Sequence, residues 1–175
     1  MAKAKPYDRQ PSVRWLIRRD MPEVMEIENR SFEFPWAEED FLIALRQRNV
    51  IGVVYESHND LIHGFMLYEL HEKRLRVLNL AVAPEVRRTG VGRAIVQRLL
   101  DRLEPQKRTC IEAAVRETNV DAQMFLSTFG FRAETLLKRH YEDTSEDGIL
   151  FRYTLPAGKE NVMIDGGNRI SQYFE

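Results

Sequence analysis

The residues best placed to do chemistry in this 175-residue chain are basic and small: Arg87-Arg88-Thr89-Gly90-Val91-Gly92-Arg93. They follow Leu78-Asn79-Leu80-Ala81-Val82-Ala83, an apolar run of strand length that Pro84 stops. Beyond them Val91, Ile95, Leu99 and Leu103 recur at helical spacing. A strand, a basic loop and a helix N-terminus in that order form an anion site. The first N–H groups of a helix lack internal partners, the helix dipole places positive charge there, and glycine lets the backbone approach a phosphate closely. The stretch therefore reads as a pyrophosphate cradle. Its spacing is neither that of a P-loop nor that of the longer dinucleotide fingerprint. Taken alone, Arg87 to Gly92 also fits an ordinary strand–turn–helix whose glycines only shape the turn.

Other chemistries find less support. His58, His63, His71 and His140 are scattered without metal-ligand spacing, so no metal is expected. Cys110 is the only cysteine, which excludes an intrachain disulfide and suits a buried structural role. With 43% hydrophobic and 30% charged residues the composition is that of a folded domain, and a net charge of −1 gives no reason to expect nucleic acid. No apolar run approaches the roughly 20 residues that span a bilayer, and Met-Ala-Lys-Ala-Lys-Pro lacks the apolar core of a signal peptide. No membrane partner and a cytoplasmic location are the expectations.

The elements that must position the cradle can be read in order. Residues 1–12 are polar and basic and read as a loose arm, and 13–155 as one domain. Val13–Arg18 is a strand candidate; Asp20 is a candidate N-cap for a helix that runs out near Ser31. Ser31-Phe32-Glu33-Phe34-Pro35-Trp36 breaks the periodicity, because Pro35 forces Phe34 out of helical geometry. A second helix is expected over Glu38–Arg46, then a hairpin of Val50–Glu56 and Leu61–Leu70, and a third strand over Leu75–Val82. The cradle helix should end before Pro105, Thr109–Val115 is strand-like, and Asn119–Thr128 is a short helix closed by Gly130. Phe131–Lys138 and Ile149–Leu155 would be the last two strands. Residues 156–175 read as a tail, with Tyr173 and Phe174 as anchors if it docks. The expected fold class is mixed α/β: a mostly antiparallel, twisted sheet of about seven strands with four helices.

Arg-x-x-Gly-x-Gly at Arg87 to Gly92, preceded by Leu-Asn-Leu-Ala-Val-x-Pro, resembles the acetyl-CoA signature of the GNAT acetyltransferases. Three further pieces, in the right order, resemble the RimI-like N-terminal acetyltransferases within that family. They are Ser-Phe-x-x-Pro-Trp at Ser31 to Trp36, Val115-Arg116-Glu117-Thr118-Asn119 followed by Phe129-Gly130-Phe131, and Lys138-Arg139-His140-Tyr141. The match spans residues 13–155 and implies the GNAT fold, with acetyl-CoA held by Leu80, Ala81, Val82, Arg87, Arg88, Thr89, Gly90, Val91, Gly92, Arg93 and Asn119. Asn119 is equally a helix N-cap, and both roles can hold at once. Phe34, Pro35, Trp36 and Tyr141 would contact the acceptor by the same resemblance, against a plain packing role for each.

The pattern fails at two positions. Where RimI-like enzymes carry a glutamate before the Val-Arg pair, as general base, this chain has Ala114; where they carry a tyrosine that protonates the leaving thiolate, it has Leu126. Glu112 shares the face of Ala114 about 7 Å away along the strand and is expected to act as a water-mediated base, unless it is salt-bridged. Glu33 in the aromatic loop and Tyr141 are the other catalytic candidates. The implied function is direct transfer of acetyl from acetyl-CoA to a primary amine, foremost the N-terminal α-amine of a protein such as a ribosomal protein. A lysine or small-molecule acceptor, a non-catalytic acetyl-CoA-binding protein and a binder of another phosphate ligand remain the alternatives, and the oligomeric state stays open.

Overall fold

The computed structural model describes residues 10–156. Among these, seven strands form one sheet in the order β1-β2-β3-β4-β5-β7-β6. The strands are β1 (Ser12–Trp15), β2 (Val50–Glu56), β3 (Ile62–Leu70), β4 (Arg74–Val82), β5 (Cys110–Arg116), β6 (Arg132–Tyr141) and β7 (Glu146–Thr154). The helices are α1 (Met21–Ser31), α2 (Glu38–Leu45), α3 (Val91–Leu100) and α4 (Val120–Ser127), with 3-10 turns at Arg18–Asp20 and Pro84–Val86. Every strand pair is antiparallel except β4 with β5. The arm of residues 1–12 and the tail of 156–175 lie largely outside the described residues; Ser12 already belongs to β1, which ends at Trp15 rather than at Arg18.

The core has two halves, one on each face of the sheet. In β3 alternate side chains point to opposite faces: Phe65 and Leu67 join Met21, Val24, Ile27 and Phe41 of α1 and α2, while Met66 and Tyr68 join Ile95 and Leu99 of α3, Leu126 of α4, and Ile111, Val115 and Phe151. All four β3 residues are at most 1% exposed. A strand covered on both faces reads as an unbroken apolar run, which explains the composition of β3. Gly130 closes α4 in a left-handed conformation, φ 89°, as its position in the sequence predicts. Asp20 does not cap α1 with its side chain. It lies in the turn before, 3% exposed, paired with Arg14 at 2.7 Å and accepting from the backbone of Ile17. Burial pushes its carboxyl up, and the Arg14 guanidinium and the Ile17 N–H outweigh that and hold it below the usual carboxylate range.

Candidate active site

Two irregularities in the sheet create the opening. Leu67 faces Asn79 but the next pair is Tyr68 with Val77, so Leu78 is an extra residue bulged out of β4. At the same place the parallel ladder of β4 and β5 stops: it runs from Arg74↔Cys110 to Val77↔Ala113 and no further. From there, among the described residues, Asn79–Val82 stays paired only with β3, and Ala114–Arg116 only with β7. The strands part as a wedge. The edge of β4 in that wedge offers backbone N–H and C=O groups that a ligand can pair, as any strand edge does.

The cradle lies at the wide end of the wedge. Gly90 is the N-cap of α3, φ 101°, and gives no side-chain cap, so the first-turn amides are left for an anion. A Cβ at Gly90 would meet nothing within 4 Å, so the loop is open on that side, and its glycine is required by conformation. Gly92 serves another purpose: a Cβ there would lie 3.1 Å from the Phe125 ring, so this glycine lets α4 close onto α3. Arg88, Thr89 and Arg93 are exposed. The Arg93 guanidinium lies 5.3 Å from the centroid of Phe129. The Thr89 hydroxyl donates to Val86 O at 2.6 Å. Arg87 folds back, donating to Val82 O at 3.1 Å and to Ser31 Oγ at 3.2 Å, and so ties the loop to the end of α1. Asn119 caps α4, its Oδ1 accepting from Ala122 N at 3.0 Å. An exposed helix N-terminus, an open glycine turn, exposed guanidiniums and an unpaired strand edge together suit a pyrophosphate joined to an amide-bearing arm, which is the chemistry of coenzyme A.

At the end of the β5 arm of the wedge, three distant parts of the chain converge on Arg116. Its guanidinium carbon is 4.0 Å from the Tyr141 ring centroid and 5.4 Å from that of Phe34. Asp143 and Glu146 accept its hydrogen bonds, Glu146 at 3.0 Å. The aromatic loop and the final hairpin are thereby joined through a charge. Three residues, Lys138-Arg139-His140, loop out between the pairs Leu137↔Gly148 and Tyr141↔Glu146 and carry Tyr141 to this position. Phe34 stays 43% exposed. Burial pushes the Tyr141 phenol above its ordinary value, Arg116 only partly opposing, so the hydroxyl keeps its proton at neutral pH. Trp36 turns inward, edge-on to Phe41 at 5.4 Å.

Glu112 is not among these residues. It pairs with Arg76 in the closed half of the wedge and its two oxygens meet Arg152 at 2.7 Å and Arg74 at 3.2 Å. This corrects the expectation of a free, water-mediated base: the carboxylate belongs to a structural ion-pair network that Glu134 extends through Arg152. Ala114 and Leu126 carry no titratable group, and Leu126 is 5% exposed in the core. Sequence reasoning passed over Glu28 of α1, which is 1% exposed. Its Oε1 accepts from Trp36 N at 2.8 Å and its Oε2 from Asn79 Nδ2 at 3.1 Å. Burial raises its pKa against both hydrogen bonds. The one signal in the sequence is that Glu28 occupies the apolar stripe of α1, four residues after Val24.

A parted parallel strand pair with an anion cradle at one end and an aromatic cleft beside it defines an acyl-CoA-dependent transferase. Comparison agrees: the model of the acetyltransferase (GNAT) family matches residues 11–131, and the chain belongs to that family. It is an acetyl-CoA-dependent acetyltransferase. Among its relatives, the ribosomal protein bS18-alanine N-acetyltransferase of Escherichia coli K12 is 29% identical over 133 residues, 75% of this chain and 88% of that protein. The enzyme of the same name in Salmonella typhimurium LT2 is 27% identical over 137 residues, 77% and 91% of the two chains. The crystal structure of the ribosomal-protein-S18-alanine N-acetyltransferase from Escherichia coli superposes with a TM-score of 0.74 at 25% identity, covering 87% of this chain and 99% of that one. Arabidopsis thaliana NAA60 in complex with acetyl-CoA shares the fold, TM-score 0.73 at 16% identity over 83% of this chain and all of that one.

Proposed function

We propose that this enzyme acetylates the N-terminal α-amine of a protein or peptide in the cytoplasm, with a ribosomal protein as the leading acceptor. The observation that carries the reading is the stack of Phe34, Arg116 and Tyr141, which sets two aromatic rings at the end of β5, past the point where it parts from β4. A chain end lying along this stack, whose centre Arg116 fills, brings its α-amine to the wedge. The relatives named as bS18-alanine N-acetyltransferases act on such an amine and support the same acceptor here.

Acetyl-CoA supplies an acetyl thioester in the wedge. The open edge of Leu80, Ala81 and Val82 would pair with its amide-bearing arm, and the turn from Arg87 through Arg93 would hold its pyrophosphate, with Arg88, Arg93 and the first-turn amides of α3 as donors. Arg87 and Thr89 shape that turn, Gly90 and Val91 open the helix, Gly92 seats it against α4, and Asn119 borders the site from α4. Phe34, Pro35 and Tyr141 orient the acceptor, while Trp36, packed on Phe41, holds their loop in place.

No titratable group at positions 114 and 126 is needed to free an α-amine. Its pKa of about 7.7–8.0 leaves roughly a tenth of it neutral at pH 7, against less than about one in a thousand lysine side chains. Orientation in the cleft then supplies much of the rate. Tyr141, protonated at neutral pH like any phenol, is the group on the final hairpin that could donate a proton. Incubating the protein with acetyl-CoA and a pool of peptides with free N-termini, read by mass spectrometry, tests this function. Acetylation of a subset of peptides at the α-amine is expected. Transfer only to lysines or to small amines would replace the reading.

A further inference from the structure

A buried carboxylate usually has a cation for a partner. Glu28 has none among the described residues; it has two neutral donors, the Trp36 N–H and the Asn79 amide. Each ties it to one wall of the site. Trp36 belongs to the acceptor loop, and Asn79 follows the bulge at Leu78, in the half of β4 that has left β5. An ionised carboxylate only accepts hydrogen bonds, so it dictates how the Asn79 amide is turned: the NH2 group toward Glu28 and the carbonyl away from it. Asn79 is 8% exposed, and its Oδ1 carries no hydrogen bond among the described residues. That oxygen is not among the fully buried unpartnered atoms, so an acceptor held in a fixed direction beside the wedge is open to a donor from outside.

We propose that Glu28 and Asn79 form an amine-positioning pair, in which Glu28 fixes the Asn79 amide so that its carbonyl oxygen accepts an N–H of the acceptor amine. The ligand is a primary amine, and the proposal rests on the reading of the protein as an amine acetyltransferase. One N–H bound to Oδ1 turns the nitrogen lone pair to a set direction, which is the orientation a nucleophile needs when no base is at hand. Glu28 acts through Asn79 and is a positioning residue; Asn79 is the group that touches substrate. The pair meets the loss of proton-transfer groups at Ala114 and Leu126 with geometry in place of a base.

The test is a two-site exchange. In Glu28→Gln the new side chain keeps its oxygen for Trp36 N–H and turns its NH2 to Asn79. The Asn79 amide must then reverse, presenting a donor where the amine needs an acceptor. kcat/KM for the amine is expected to fall about 10- to 100-fold. Acetyl-CoA affinity by calorimetry and the melting temperature should not fall. Asn79→Asp alone sets two carboxylates face to face and should also be impaired. In the double variant E28Q/N79D, the amide introduced at position 28 donates to one oxygen of the carboxylate introduced at position 79. The other oxygen is left for the amine, so about tenfold of the lost activity should return. Affinity of the peptide for the protein saturated with unacetylated coenzyme A should move in parallel. The substrate is whichever primary amine the wild-type protein acetylates, so failure of the N-terminal reading leaves this test intact. Wild-type kcat/KM in E28Q, or a double variant no better than E28Q, overturns the pairing.

Discussion

Gly64 sits where the cradle helix rests on the sheet. It lies in β3 opposite Val82, the last residue of β4 before the cradle. A Cβ on it would stand 3.0 Å from Ala81 O, 3.0 Å from Ile95 Cδ1 and 3.2 Å from Val91 Cγ1. Val91 and Ile95 belong to the first turns of α3, so the missing Cβ is what lets that helix settle with its N-terminus at the wedge. In Gly64→Ala, the two side chains can give by a few tenths of an ångström, but the Ala81 carbonyl is backbone in a paired strand and cannot. Overpacking of this kind costs about 1–3 kcal/mol, and about 0.5–1 kcal/mol is returned because alanine is easier than glycine to fix in a strand. The net loss of about 0.5–2 kcal/mol lowers the melting temperature by about 1–8 °C for a chain of this size. Because α3 is pushed off the sheet, acetyl-CoA binding should weaken by about 2- to 5-fold, up to about 1 kcal/mol. Thermal denaturation and titration calorimetry on wild type and G64A measure both. A variant that melts at or above the wild type and binds acetyl-CoA equally well would refute the reasoning.

Three other outcomes follow from the geometry. Asn119→Ala loses the cap of α4 and about 0.5–2 kcal/mol of stability, whereas Asn119→Asp keeps the cap; if Asn119 also borders the cofactor, calorimetry will show weaker acetyl-CoA binding in both and denaturation a loss in the first alone. Glu112→Gln is expected to leave kcat/KM within about twofold of the wild type across pH 6–9, while costing about 1–2 kcal/mol of stability through its ties to Arg74 and Arg152. Glu28 has a pKa raised by burial above its ordinary 4.5, so the folded state holds its proton longer than the unfolded chain does. Its contribution to stability is full below pH 4.5 and is lost as pH rises through the folded value. Urea denaturation from pH 4.5 to 7.5 should show a decline in the wild type that is absent in E28Q.

The strand, turn and helix of the candidate cradle are legible in the sequence because their signals are local: an apolar run, a proline, a basic turn and a helical stripe within one short stretch. The hairpin of β2 and β3 is legible for the same reason, down to the bounds Val50–Glu56. What the sequence hides depends on partners far along the chain. The bulge at Leu78 and the parting of β4 from β5 are properties of strand pairing, and no residue at 78 marks them. The stack on Arg116 joins an early loop to the last hairpin and needs the fold to exist. Glu112 reads as a candidate base from strand alternation, which gives its face and not its neighbours; Arg152, on an adjacent strand, decides its role. Gly92 shows the limit of motif reasoning most plainly, since its room is taken by the Phe125 ring. The match in fold and family to acetyltransferases confirms the inference drawn from the four motifs together.

The most direct test of the account is a single peptide with one free α-amine and one internal lysine, incubated with the protein and acetyl-CoA and sequenced by tandem mass spectrometry. The account requires the added acetyl group on the α-amine, and no product when that amine is blocked. Acetyl on the lysine, or transfer to the blocked peptide, would contradict it.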